Sequence, residues 1–171
     1  MARYLLQGPE RKTLLAALVE PLGIHARGFM TDPGVEEGEI VGYRMRSLEG
    51  REAWIAHISD AGPVRAGRFK VNVPEIDFVA TESLKGEILP GRVFFLDEIG
   101  RLTLSSRRLE NAIRDVFASG ANVVATVEDR PHEFIEALRR LPGIETLIVT
   151  SESFSELRDR LLSELRPSRG L

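Results

Sequence analysis

Two acids at the end of an apolar run, and a Lys-Thr pair close behind a glycine, are the residues of this chain that could do chemistry together. Val93-Phe94-Phe95-Leu96 reads as a buried parallel strand that delivers Asp97 and Glu98 to the carboxyl edge of a sheet. At such an edge one carboxylate can hold a divalent cation through water, and its neighbour can polarise an attacking water. Lys12-Thr13 follow the strand-like Arg3 to Gln7, placed so that an ammonium meets phosphate oxygens and a hydroxyl meets the metal they carry. Phosphoanhydride chemistry is the reaction these types would serve.

The loop joining them is short. Gly8-Pro9-Glu10-Arg11-Lys12-Thr13 has three residues between the first glycine and the lysine, whereas G-x-x-x-x-G-K-[ST] has five. A working loop wraps a phosphate with successive backbone N–H groups, and two missing residues remove roughly 7 Å of contour. Pro9 has no N–H to donate. Glu10 puts a negative charge where phosphate would sit, and it is expected to stand in for the phosphate by capping the following helix or pairing with Lys12.

The elements that must position these groups alternate along the chain. Leu14, Leu15, Leu18 and Val19 mark a helix ended by Pro21 and Gly23, and His25 to Thr31 forms a second strand. Ile40 to Arg46 and Ala53 to Ile58 make a hairpin about Leu48-Glu49-Gly50, and Arg68 to Val73 a short strand. Pro74 opens a helix carrying Ile76, Val79, Leu84 and Ile88. Ser105 or Ser106 caps a helix with Leu109, Ile113, Val116 and Phe117 on one face, closed by Gly120. Asn122 to Val127 and Glu145 to Thr150 are further strands, separated by a helix opened by Pro131. Ser153 and Glu156 have capping-box spacing for the last helix, and residues 166–171 read as a flexible tail. The class is α/β: a mainly parallel sheet flanked by helices, one domain over residues 1–165, with a β-hairpin insertion at about 40–58.

Composition narrows the partners. Both charge signs are mixed and the formal net charge is −3, so no basic excess favours nucleic acid. Arg107-Arg108 and Arg139-Arg140 lie on separate helices and read as solvated faces. With no cysteine, disulfides, thiolate metal sites and a cysteine nucleophile are excluded. His25, His57 and His132 share no ligand spacing. No apolar run approaches the ~20 residues that span a bilayer, and a cytoplasmic protein is expected.

In order along the chain, several motifs resemble the small RecA-like nucleoside-triphosphatase family of the cancer-related type. Asp97-Glu98-Ile99-Gly100-Arg101-Leu102, with Leu104 and Ser106, is similar to D-E-I-G-K-M-E-L-x-S. Gly28-Phe29-Met30-Thr31 is similar to G-F-Y-T, Val41-Gly42-Tyr43 to V-G-F, and Gly67-Arg68-Phe69-Lys70-Val71 to G-K-Y-x-V. The resemblance implies a RecA-like P-loop fold and Mg²⁺-dependent hydrolysis of ATP, GTP and related nucleotides. It gives Glu98 and Lys12 catalytic roles, Gly8, Lys12, Thr13 and Arg101 contacts to nucleotide, and Asp97 and Thr13 the metal.

Four departures accompany it. The family's G-P-P-G-x-G-K-T is shortened, and its arginines are missing near Val35 and at Glu39-Ile40. Thr103 replaces a glutamate, and Ser153-Phe154 an Asn-Arg pair. Two readings follow: a degenerate member, with hydrolysis lost or strongly weakened, that serves as a vestigial nucleotide-binding or interaction module; or a functional Mg²⁺-dependent nucleoside-triphosphatase with an unorthodox loop. A nucleic-acid or nucleoside kinase rests only on shared ancestry.

Overall fold

The computed structural model describes residues 1–60 and 62–167. Among these residues nine strands form one sheet in the order β5-β6-β4-β3-β2-β7-β8-β1-β9. Its parallel half joins β1 (Arg3–Gln7), β8 (Asn122–Val127), β7 (Val93–Ile99) and β9 (Ile144–Ile148) to the start of β2 (Ala26–Glu36). The other half is an antiparallel meander of β2, β3 (Glu39–Ser47), β4 (Glu52–His57), β6 (Phe69–Val71) and the two-residue β5 (Arg65–Ala66).

Strand alternation feeds two cores. Leu5, Phe94, Leu96, Val123 and Ala125 face a layer holding α3 (Arg107–Ala118), α4 (Glu133–Arg139) and the helical segment after β6. Leu6, Val93, Phe95 and Val124 face α1 (Arg11–Leu22) and α5 (Phe154–Leu165). Strands buried on both faces need continuous apolar runs, which is why Val93–Leu96 reads so cleanly.

The expected second strand is longer than its sequence signals. Asp32-Pro33-Gly34 looks like a turn, yet β2 runs through it to Glu36, with a bulge at Gly34/Val35. Beyond Phe29 the pairing with β7 stops and only β3 remains, so the missing N–H of Pro33 faces no partner strand. The hairpin at 40–58 is thus part of the main sheet rather than an appendage. At the switch, Gly28 has φ +122°, and a Cβ there would lie 1.9 Å from the Phe95 carbonyl oxygen. Only glycine allows the strands to approach so closely.

Three helix expectations are corrected. After Asn72, whose side chain accepts from the Glu75 N–H, α2 (Val73–Ile76) widens into a π turn over Asp77–Thr81 and stops before Gly86, leaving Ile88 outside it and exposed. Pro131 does not open α4; the His132 ring accepts from the Phe134 N–H at 3.1 Å and caps it. Ser153 makes no capping box: its hydroxyl turns back to accept from the Thr150 N–H and donate to the Ile148 carbonyl. Ser106 caps α3 as expected, accepting from the Leu109 N–H at 3.0 Å. Residues 168–171 of the expected tail lie outside the described residues, among which no helix is long and apolar enough to cross a membrane.

Candidate functional site

Strand β7 lies parallel to β8, and β8 to β1, so their carboxyl ends share one edge of the sheet. That register sets Asp97 beside the first turn of α1. The Lys12 ammonium donates to Asp97 Oδ1 at 2.7 Å, to Oδ2 at 2.8 Å and to the Thr31 carbonyl at 2.6 Å. Asp97 is 1 % exposed, and its oxygens also accept from the Thr126 hydroxyl at 2.7 Å and the Thr31 N–H at 3.4 Å. The Asp97–Glu98 peptide is cis. Glu98 is not free either: its Oε2 accepts from Arg11 Nε at 2.8 Å. Burial alone would lower the Arg11 pKa, but the hydrogen bond to Glu98 and the charges of Glu98, Asp129 and Asp97 outweigh it and hold the guanidinium above its ordinary value.

The Gly8–Thr13 segment closes on itself. The Glu10 N–H donates to the Val149 carbonyl at 3.1 Å, and the Arg11 N–H to the Gly8 carbonyl at 3.3 Å. Arg11 also reaches Gly8 O through its guanidinium at 3.0 Å. Gly8 has φ +96°, and a Cβ there would press on Val149 O at 2.7 Å. The Lys12 and Thr13 N–H groups of this segment make no backbone hydrogen bond outside α1 among the described residues. Glu10 sits at the helix N-terminus without a side-chain cap bond, and Lys12 pairs with Asp97 instead. The expectation that Glu10 replaces a phosphate is therefore overturned. A carboxylate already fixed in the core, with a desolvated register set by β7, outcompetes a half-exposed neighbour in the chain.

Thr13 and Asp97 supply the oxygen chemistry that Mg²⁺ prefers. In this arrangement they do not fit one, because both Asp97 oxygens are taken by the Lys12 ammonium and by further donors. Thr103, where a glutamate was expected, donates to the Glu98 carbonyl at 2.6 Å and accepts from the Gly100 N–H, pinning the turn after β7.

Arg11, Lys12, Glu98 and Arg101 open onto a cavity of about 450 Å³. Its remaining walls were not legible as a site: Thr31 and Pro33 of β2, Tyr43 of β3, Phe69 of β6, and Glu128 and Arg130 after β8. The motifs around Thr31, Tyr43 and Phe69 were the available signal, since all three come from the resemblance segments.

An ordered parallel sheet with a glycine loop, Lys-Thr and a strand-end acid at one edge is the architecture of the P-loop NTPases. The chain belongs to the NTPase family, whose model matches residues 8–165. It is 27 % identical to the nucleoside-triphosphatase THEP1 of Thermotoga sp. (strain RQ2) over 93 % of this chain and 91 % of that one. THEP1 of Aquifex aeolicus is 29 % identical over 92 % and 94 % of the two chains. The crystal structure of the A. aeolicus protein superimposes with a TM-score of 0.85 at 28 % identity, covering 96 % of this chain and 99 % of that one. The solution structure of a human cancer-related nucleoside triphosphatase shares the fold, with a TM-score of 0.82 at 22 % identity over 99 % of this chain and 100 % of that one.

Proposed function

We propose that this chain is a nucleotide-facing member of the family in which hydrolysis is lost or strongly weakened, so that it serves as a vestigial nucleotide-binding or interaction module in the cytoplasm. The observation that carries the reading is the self-closed loop. Pro9 has no N–H, and those of Glu10 and Arg11 are spent on protein carbonyls, so the loop presents fewer backbone donors to a phosphate than a full-length one would. Transition-state stabilisation in phosphoryl transfer is almost entirely positioning and electrostatics. Here the charges that would supply it are already neutralised in pairs, Lys12 by Asp97 and Arg11 by Glu98.

A second reading is a functional Mg²⁺-dependent nucleoside-triphosphatase, releasing phosphate from ATP or GTP. The relatives' shared name over nearly their whole length supports it, and so does the presence of Lys12, Thr13, Asp97 and Glu98 at one edge. The comparisons lean toward this reading and the loop geometry toward the first. Phosphate release from Mg-ATP and Mg-GTP decides between them. On the first reading the rate equals that of Glu98→Ala, and replacing Pro9-Glu10-Arg11 by a full-length glycine loop restores binding of a fluorescent nucleotide. A rate above the Glu98→Ala control that disappears in Lys12→Ala establishes the second.

A further inference from the structure

A second concavity, of about 500 Å³, opens at the edge of the sheet opposite Lys12 and Asp97. Arg3 is the first residue of β1, and in the parallel register it pairs with Val123 and Ile144 near the amino ends of β8 and β9. The loop carrying Lys12 leaves from the other end of the same strand, and the two cavities share no residue. The cleft lies where α3 ends and the α4–β9 turn begins. Phe117, Phe134 and Leu138 form its floor, and Ala118, Leu141 and Pro142 its exposed rim. A concave, mostly apolar site of this volume takes one small molecule with a hydrocarbon body.

Charge restricts that molecule further. No aspartate or glutamate lines the cleft among the described residues, and its charged side chains are Arg3 and Arg114. Arg3 makes no ion pair among the described residues; its Nη1 donates to the Phe117 carbonyl at 2.8 Å and its Nη2 to the Pro142 carbonyl. Nε is buried, but the Nη2 contact is exposed, so the outer N–H groups stand within reach of a ligand. Each Nη carries two N–H groups and each of these bonds takes one. A helix end supplies only about half an elementary charge, so the carbonyls of α3 leave the guanidinium net positive. Arg114 lies over the Phe134 ring, 4.9 Å from its centroid, and meets Glu110 at 3.3 Å on the exposed helix face. Exposed pairs of that kind are weak, and the side chain can turn to a second anion.

We propose that this cleft binds a small amphipathic carboxylate, an aryl or short alkyl acid, with its carboxylate on Arg3 and Arg114 and its hydrocarbon part between Leu141 and the phenylalanine floor. Burial of the apolar part supplies the affinity, and the guanidinium, which can grip both carboxylate oxygens, selects the anion over its neutral analogue. The site does not depend on what the phosphate loop binds or hydrolyses.

Titration of the isotope-labelled whole chain with phenylacetate, naphthylacetate and octanoate, read by backbone amide NMR shifts, tests this. Phenylacetamide, phenethylamine and acetate serve as the neutral, the cationic and the body-less arms. The expected result is a Kd below about 500 µM for at least one carboxylate, with the three control arms at least about tenfold weaker. The shifts fall on Ala118, Gly120 and Leu141 and spare Lys12, Thr13 and Glu98. Ala118→Leu, at an exposed position, fills the cleft and weakens binding at least about tenfold. Arg3→Gln keeps donors for the Phe117 and Pro142 carbonyls and brings the carboxylates down to the level of the amide. Arg114→Gln touches no part of that clamp and weakens them severalfold. The proposal is overturned if no carboxylate binds at about 5 mM, if the amide or the amine binds as tightly, if the shifts centre on Lys12, or if Ala118→Leu or both arginine variants bind like the parent.

Discussion

Two neighbouring regions treat their polar groups in opposite ways. In the loop and strand-end region, almost every charge is answered from within: Lys12 by Asp97 and Thr31, Arg11 by Glu98, and two loop N–H groups by Val149 and Gly8. On the other walls of the cavity, Thr31 Oγ1 and Glu128 Oε1 are buried, and Arg101 and Arg130 exposed, without hydrogen-bond or ion-pair partners among the described residues. Thr31 belongs to both, since its backbone serves Lys12 and Asp97 while its hydroxyl meets no partner among the described residues. A group satisfied internally contributes to stability and resists a ligand, whereas an orphan lowers stability and invites one.

The largest expected effect breaks the first region. Lys12→Ala leaves the Asp97 carboxylate, 1 % exposed, with the Thr126 hydroxyl and a long bond from the Thr31 N–H among the described residues. Removing one partner of a buried pair costs about 3–5 kcal/mol, and the partial exposure of Lys12 argues for about 3 kcal/mol. Urea unfolding measures it. A loss below about 1 kcal/mol means that the pair is not a structural element.

Arg11→Ala comes next, at about 1–2 kcal/mol by the same method, because the half-buried Glu98 loses a charged partner and Gly8 O a donor. Arg130→Ala sharpens the contrast: with no ion pair to lose among the described residues, its stability should stay within about 0.5 kcal/mol of the parent. Equal losses for Arg11→Ala and Arg130→Ala would erase the distinction between the two regions. Glu10→Gln is expected to have the smallest effect, less than about 0.5 kcal/mol in the thermal midpoint or in urea, since its carboxylate makes no cap bond. A clear loss there would reinstate the capping role that its position suggested.

Most of the parallel half was legible because its rules are local. Val93–Leu96 and Asn122–Val127 are apolar runs of strand length, and the Ser106 cap and the α3 face follow from spacing. Asp97, Lys12 and their common edge followed from the order of strands and helices. What was missed depends on distant partners. The second strand was expected to stop at Thr31, yet β2 continues past the end of its β7 neighbour on β3 alone, and Ser153 reads as a cap until the β9–α5 turn claims its hydroxyl. The Glu10 expectation failed for the same reason, because Asp97 is 85 positions from Lys12 in sequence and adjacent in space. The cavity wall of Thr31, Tyr43, Phe69, Glu128 and Arg130 comes from four separate segments, and no spacing along the chain announces it.

Gly28 has a consequence for how this protein can be altered. The missing side chain there is what lets β2 lie against β7 and then turn away to begin the meander. A single methyl group at position 28 would push the two strands apart at the seam that carries Thr31 on one side and Asp97 on the other. Loop length, charges and caps around the edge are open to rewriting, since each touches only its own neighbours. Position 28 offers no such latitude: a mutational scan should show tolerance across Pro9, Glu10 and Arg130 and an abrupt void at one unreactive glycine, with the least chemical residue in the region the hardest to replace.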